Sequence, residues 1–139
     1  MDFLPLGFRA FRAAPTGDNA YYLAASFKGL HQYDAAVAWF EKAIEMEGDS
    51  WDTTSNLPYL LTEAGKYAEA ICICNKLLTF PEAEEAEVKH EIYLCLADNY
   101  FYTEEVGKAV AFLDLIIAES NDQDLVDFVK DIRASWLQQ

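Results

Sequence analysis

The sequence predicts an all-α chain built as a solenoid of three helix hairpins, with an N-terminal arm and a C-terminal capping helix. Three observations lead there. The chain matches itself at a spacing of 34 residues and again at 39, apolar residues recur at helical period inside each copy, and turn formers fall between the stripes. Its 139 residues are one domain's worth, and 53% apolar against 24% charged content is too apolar for a disordered tail.

Residues 1–16 form the arm. It is apolar (Phe3, Leu4, Leu6, Phe8, Phe11), interrupted by Pro5, Gly7 and Pro15, and carries Arg9 and Arg12 against Asp2 alone. Residues 17–123 hold the repeats, at 17–50, 51–84 and 90–123. The segments starting at Ala35, Glu69 and Lys108 align, and in that register Ala36, Ala70 and Ala109 coincide. So do Leu23, Leu57 and Leu96, then Phe27, Leu61 and Tyr100, then Phe40, Cys74 and Leu113. Val37, Phe40, Ala43 and Ile44 make one stripe of period 3.6, and Val110, Leu113, Ile116 and Ile117 repeat it. Turns are expected at Gly29–His31, Gly48–Ser50, Gly65–Lys66, Pro81 and Thr103–Glu105. Pro58 lies inside the first helix of the second unit and, having no N–H to donate back to residue 54, should kink it or else move its start to the Thr53–Asn56 cluster; a kink is expected. Residues 124–139 are the cap, with Leu125, Val129, Ile132 and Trp136 on one stripe behind Ser120–Asn121 as helix starters.

These residues resemble the tetratricopeptide repeat, a helix-turn-helix of 34 residues with small residues where helices touch and larger apolar ones beside them. The resemblance covers about three quarters of the chain. Val106 replaces the aromatic found at Tyr33 and Tyr67, Gly48 stands where a proline usually ends a unit, and Thr54 replaces an aromatic. The resemblance implies a right-handed solenoid of three TPR-like hairpins. It identifies an architecture rather than a ligand. Members that hold the acidic tails of heat-shock chaperones use Lys, Asn and Arg at fixed places. Here Asn56 alone fits, while Tyr21, Ala25, Glu91 and Cys95 occupy the others, so that function is rejected.

Charge and chemistry narrow the rest. Twenty-four acids against ten bases give a net charge of −14, a sign that repels phosphate backbones and anionic lipids, so neither nucleic acid nor membrane is an expected partner. No apolar run is long enough to span a bilayer and the N-terminus lacks a signal pattern, which points to the cytoplasm. Cys72, Cys74 and Cys95 are expected to be reduced, packed thiols. His31 and His90 are expected to face solvent without metal partners. The acidic stretch Glu82–Glu91 reads as a solvated first turn of the third unit. With no nucleophile motif, phosphate loop or metal spacing, neither enzyme activity nor a cofactor is expected.

Stacked hairpins leave a concave face lined by each first helix. Residues there that avoid the buried stripe are Tyr21, Ala25 and Lys28, then Asp52, Ser55, Asn56, Tyr59 and Thr62, then Glu91, Leu94, Asp98, Phe101 and Tyr102. Asp18, Asp52 and Glu91 recur near one rim. Such a face suits another protein's peptide segment with Lys or Arg heads and apolar anchors. The expected role is thus a non-catalytic interaction module, an adaptor or chaperone. The alternative is an assembly subunit that forms a homodimer through residues 1–16, whose cationic, apolar character complements the groove.

Overall fold

The computed structural model describes residues 4–138, and every regular element among them is helical. In order they are α1 (Leu4–Ala13), α2 (Gly17–Gly29), α3 (Tyr33–Glu47), α4 (Trp51–Thr54), α5 (Leu57–Glu63) and α6 (Tyr67–Leu77), followed by a 3-10 turn at Pro81–Glu84, α7 (Ala86–Tyr102), α8 (Val106–Glu119) and α9 (Gln123–Leu137). Residues 1–3 of the expected arm and residue 139 of the expected cap lie outside the described residues. The chain packs as two compact units, one ending at Lys66 and the other beginning at Tyr67. That boundary falls between the two helices of the second predicted repeat.

The repeat is written in the backbone as well as in the side chains. Gln32, Lys66 and Glu105 each donate their N–H to a carbonyl five residues back, on Phe27, Leu61 and Tyr100, at 3.0, 2.8 and 2.8 Å. His31, Gly65 and Glu104 donate to the carbonyl three residues back, on Lys28, Thr62 and Phe101. These same three residues are left-handed, with φ of 58, 78 and 65°. This is one Schellman motif made three times at the predicted spacings, closing each first helix before the chain turns back. The aligned alanines 36, 70 and 109 are fully buried, as are Leu23 and Leu96, while Leu57 is 1% exposed. Small side chains at these places let helix axes approach, and the leucines fill the space beside them.

In the unit ending at Lys66, α2 and α3 are antiparallel neighbours, with Phe40 buried beneath Tyr21 at a ring separation of 5.4 Å. Helix α1 packs on α2: Phe8 meets Phe27 and Trp39 edge-on at 5.9 and 6.0 Å, and Phe11 meets Trp39 at 5.0 Å. Pro58 does not kink a continuous helix. The helix instead stops at Thr54 and restarts at Leu57, which places the proline in the first turn of α5. There its missing N–H costs nothing and its fixed φ suits a helix start. The Thr54 hydroxyl beside this break is buried with no hydrogen-bond partner.

In the unit beginning at Tyr67, α7 packs against both α6 and α8, and α9 covers α8. Ala97, Leu113, Ile116 and Val129 form its centre, with Tyr93, Leu94, Leu125, Ile132 and Trp136 packed around them. The starter of α9 is Asp122, whose carboxylate accepts from the N–H of Asp124 and Leu125 at 3.1 and 3.2 Å; Ser120 supports it one step earlier by accepting from Asp122 N–H at 3.1 Å. Of the three thiols, Cys74 is buried, Cys95 half-buried and Cys72 exposed, so Cys72 is not the packed residue that was expected.

Candidate functional site

The structure distributes the predicted groove residues over distinct places. In the unit ending at Lys66, a cleft of about 560 Å³ gathers Tyr21, Asp52, Ser55 and Asn56, with Asp18 and Glu47 adding carboxylates. Its geometry follows from local rules. Thr16 caps α2 by accepting from Asn19 N–H at 3.2 Å and Ser50 caps α4 by accepting from Thr53 N–H at 3.3 Å, so Asp18 and Asp52 both sit in first turns that favour acids. Lys28 donates to Asn56 Oδ1 at 3.3 Å, and the Asn56 amide donates to the Asp52 carbonyl at 2.7 Å, which fixes the floor of this region.

Two other predicted residues of this unit do not line that cleft. Tyr59 is 54% exposed and meets Tyr33 edge-on at 6.2 Å. Loss of water, the Tyr59 hydroxyl and the charge of Glu63 push the Tyr33 hydroxyl above its ordinary pKa. Thr62 is half-buried and its hydroxyl donates to the Pro58 carbonyl at 2.8 Å. Ala25 is placed elsewhere. It lines an apolar cleft of about 630 Å³ between α1 and α2, with Leu6, Gly7, Ala10, Tyr22 and Leu30. Sequence reasoning missed this cleft because nothing in the repeat pattern says where the arm lies.

In the unit beginning at Tyr67, Glu91 and Leu94 line a second acidic cleft of about 610 Å³ with Glu87, His90, Glu119 and Asp122. His90 corrects the expectation of a solvent-facing residue. It lies in the second turn of α7, is 4% exposed, and its Nε2 stands 3.3 Å from Glu119 Oε2. A carboxylate only accepts, so the contact calls for a proton on Nε2. The signal that could have exposed it, a carboxylate 29 residues away at the end of the paired helix, is visible only once the hairpin is folded. The acidic stretch around it is solvated as expected at Glu82, Glu84, Glu85, Glu87 and Glu91, although Pro81–Glu84 form a separate 3-10 turn around buried Ala83.

The remaining groove residues of this unit are partly engaged. Phe101 stacks on Trp136 of α9 with centroids 4.5 Å apart and planes 10° from parallel. Tyr102 stacks on Tyr67 at 4.8 Å and keeps 53% exposure. Asp98 is exposed, yet surrounding protein strips water from its carboxyl and pushes it above the usual carboxylate range. A hydrogen bond with Cys95, together with burial, holds the Cys74 thiol far above the ordinary range, which makes it inert.

Among the described residues, no group of three or more His, Cys, Asp or Glu is placed to hold a metal ion, and no helix is long and apolar enough to cross a membrane. The first cleft offers carboxylates beside the aromatic faces of Tyr21, Tyr22 and Trp51, and the second offers carboxylates beside His90, Leu94 and Leu125, groups that recognise cations and apolar side chains.

No family model matches the chain, and no curated protein does. Nineteen chains of solved structures match. One of them, MamA MSR-1 C2, is similar with a TM-score of 0.67 at 18% identity, over 92% of this chain and 66% of that one. The chain thus spans slightly less than two thirds of the length of this neighbour. At such identity the likeness is one of fold, and the fold is TPR-like and helical.

Proposed function

We propose that the chain is a non-catalytic protein-binding module, an adaptor or chaperone in kind, that holds a basic and apolar peptide segment. The observation that supports this reading is the cleft joining Tyr21, Asp52, Ser55 and Asn56 with Asp18 and Glu47. Carboxylates there take Lys or Arg heads, and Tyr21, fixed on buried Phe40, offers a rigid aromatic wall to an apolar anchor. The Glu91 and Leu94 cleft is a second seat of the same chemistry, with Asp98 and Tyr102 on the same helix and Tyr59 as an exposed aromatic of the first unit. The free thiols accord with a reducing cytoplasmic setting. Exchange of residues 1–16 between copies is the weaker reading, because Phe8 and Phe11 are already seated on Trp39 of their own chain.

A labelled peptide alternating Arg with Leu and Phe tests it. Binding in the micromolar range is expected, falling about tenfold or more in the double variant Asp18→Asn, Asp52→Asn and weakening with salt. Affinity unmoved by that variant, and equally by changing Tyr59, Asp98 and Tyr102 together, overturns it.

A further inference from the structure

The acidic cleft of the unit ending at Lys66 and the apolar cleft between α1 and α2 share a wall. Tyr22 lines both, and along α2 Gly17, Asp18 and Tyr21 go to the acidic cleft while Ala25, Ser26 and Leu30 go to the apolar one. The acidic end thus lies over the first turns of α2, and the apolar lining follows toward its C-terminal end. With a rise of about 1.5 Å per residue, Asp18 and Ser26 stand about 12 Å apart along the axis, the span of about four residues of extended chain.

The two halves differ in kind. Asp18, Glu47 and Asp52 line the first, whereas none of the described residues lining the second is charged, in a chain with 24 acids. Leu6, Tyr22 and Leu30 of the second are 57, 64 and 43% exposed, large side chains left to water at one place. The walls are fixed in advance. The Asn19 amide donates to the carbonyls of Ala10 and Ala14 at 3.3 and 2.8 Å, which holds α1 against α2. Gly7 lets these helices meet, since a Cβ there would fall 2.9 Å from Leu23 Cδ2. A cleft whose walls are already in place costs its ligand little ordering entropy.

We propose that one peptide segment occupies both clefts at once, with a Lys or Arg head among Asp18, Glu47 and Asp52 and, about four residues away, a Leu- or Phe-sized side chain between Leu6 and Leu30. The segment crosses Tyr22, whose ring meets Tyr21 edge-on at 6.1 Å. This rests on the basic and apolar peptide proposed above and adds where the apolar anchor sits and how far from the cation it stands. Charge assigns the two ends: carboxylates repel an acidic residue from the first cleft, and a cation placed in the uncharged cleft would lose water without gaining a partner.

Fluorescence anisotropy with three labelled peptides on a Gly-Ser background reads this. One carries an Arg pair and, four residues on, Phe-Leu; the second carries the Arg pair alone and the third Phe-Leu alone. The full chain should bind the first about tenfold or more tighter than either of the others. Leu6→Ser with Leu30→Ser should weaken the first peptide about fivefold or more and leave the Arg-only peptide unchanged. Asp18→Asn with Asp52→Asn should weaken both Arg peptides. The substituted leucines are exposed, and unchanged helicity by circular dichroism checks that the variants fold. If the Arg peptides bind and need Asp18 and Asp52 while Phe-Leu adds nothing, this inference falls and the reading above stands. If no Arg peptide binds, both fall. Phe-Leu alone binding as tightly as the linked peptide, or self-association in light scattering that Leu6→Ser with Leu30→Ser abolishes, gives the apolar cleft another occupant and overturns the inference.

Discussion

The first residues of the first and third repeats, Gly17 and His90, perform the same structural task with different groups. In the unit ending at Lys66, the backbone N–H of Gly17 donates to Glu47 Oε1 at 3.1 Å, tying the end of α3 to the start of α2. In the unit beginning at Tyr67, the imidazole of His90 meets Glu119 and ties the end of α8 to α7. A hairpin brings its second helix's last carboxylate beside its first helix's early turns, and that carboxylate needs a donor. A glycine supplies one from the backbone only because it has no Cβ: one there would fall 1.8 Å from Glu47 Cγ. A histidine fills the same space and supplies the donor from its ring. The backbone donor has no protonation state to lose, whereas the ring must keep its proton on Nε2.

The largest effects should come from the platform under each cleft. Phe40, 1% exposed beneath Tyr21, should cost about 3–5 kcal/mol on truncation in Phe40→Ala, and its register partner Leu113 about 2–5 kcal/mol in Leu113→Ala. Urea denaturation followed by circular dichroism measures both. Similar losses would mean that the two units share one style of core. A much smaller loss for Phe40→Ala would show that Tyr21 collapses into the void, and the first cleft would then lose its wall.

Next come the two junctions themselves. His90→Ala leaves Glu119 without its buried donor and empties a packed site, for an expected loss of about 1–3 kcal/mol. Gly17→Ala should cost about 1–3 kcal/mol by forcing Glu47 aside. Glu47→Ala removes the obstacle, so Gly17→Ala should become nearly neutral in that background, a coupling that a double-mutant cycle reads. Additive losses would break the parallel between the two junctions.

These junctions also mark where sequence reasoning stops. Leu23, Leu57 and Leu96, the three alanines, and the register of Phe27, Leu61 and Tyr100 were legible because each is fixed by neighbours within its own repeat, and repetition triples the signal; that the last three lend their carbonyls to the closing turns was not. His90 was not, since its burial depends on Glu119 arriving from another helix. Ala25 and Phe101 lie on helices that were placed correctly, but α1 and α9 decide what their side chains meet, and a repeat pattern does not describe what covers its ends. Pro58 was legible as a disturbance only. Whether a helix bends or restarts depends on whether the residues before it can close a turn, as Trp51–Ser55 do here through Ser55 N–H to the Trp51 carbonyl at 2.9 Å.

The three Schellman turns allow a finer comparison, because Gly65 holds the left-handed position that His31 and Glu104 occupy against their preference. Glu104→Gly should stabilise by about 0.5–1 kcal/mol, the relief of strain less the added freedom of the unfolded chain. His31→Gly should gain less, since it forfeits the contact of His31 Nδ1 with the Tyr33 hydroxyl at 2.9 Å. Equal gains in melting experiments would show that this contact contributes nothing.

The smallest effect concerns Asp98, whose register partners are Ala25 and Tyr59, so only the unit beginning at Tyr67 carries a charge at this position. Its carboxyl is raised in the folded chain by loss of water. Between the unfolded carboxylate's pKa, about 3.9, and the raised folded value, the folded chain binds the extra proton, so stability falls as pH rises through that window and stays lower above it. Asp98→Asn removes the penalty. The variant should melt slightly above the parent at pH 7 and level with it near pH 3, and exposure of the side chain keeps the difference small. Glu105 in the same unit has the opposite sign: its hydrogen bond from Lys108 lowers its carboxyl, so that contribution is present above the unfolded pKa and lost as pH falls. A parent curve that merely declines toward acid therefore reports Glu105 and its like, and the difference between parent and Asp98→Asn isolates Asp98. A difference that is constant with pH, or a variant that melts below the parent at pH 7, would mean that Asp98 is held by a favourable contact instead of being strained by lost water.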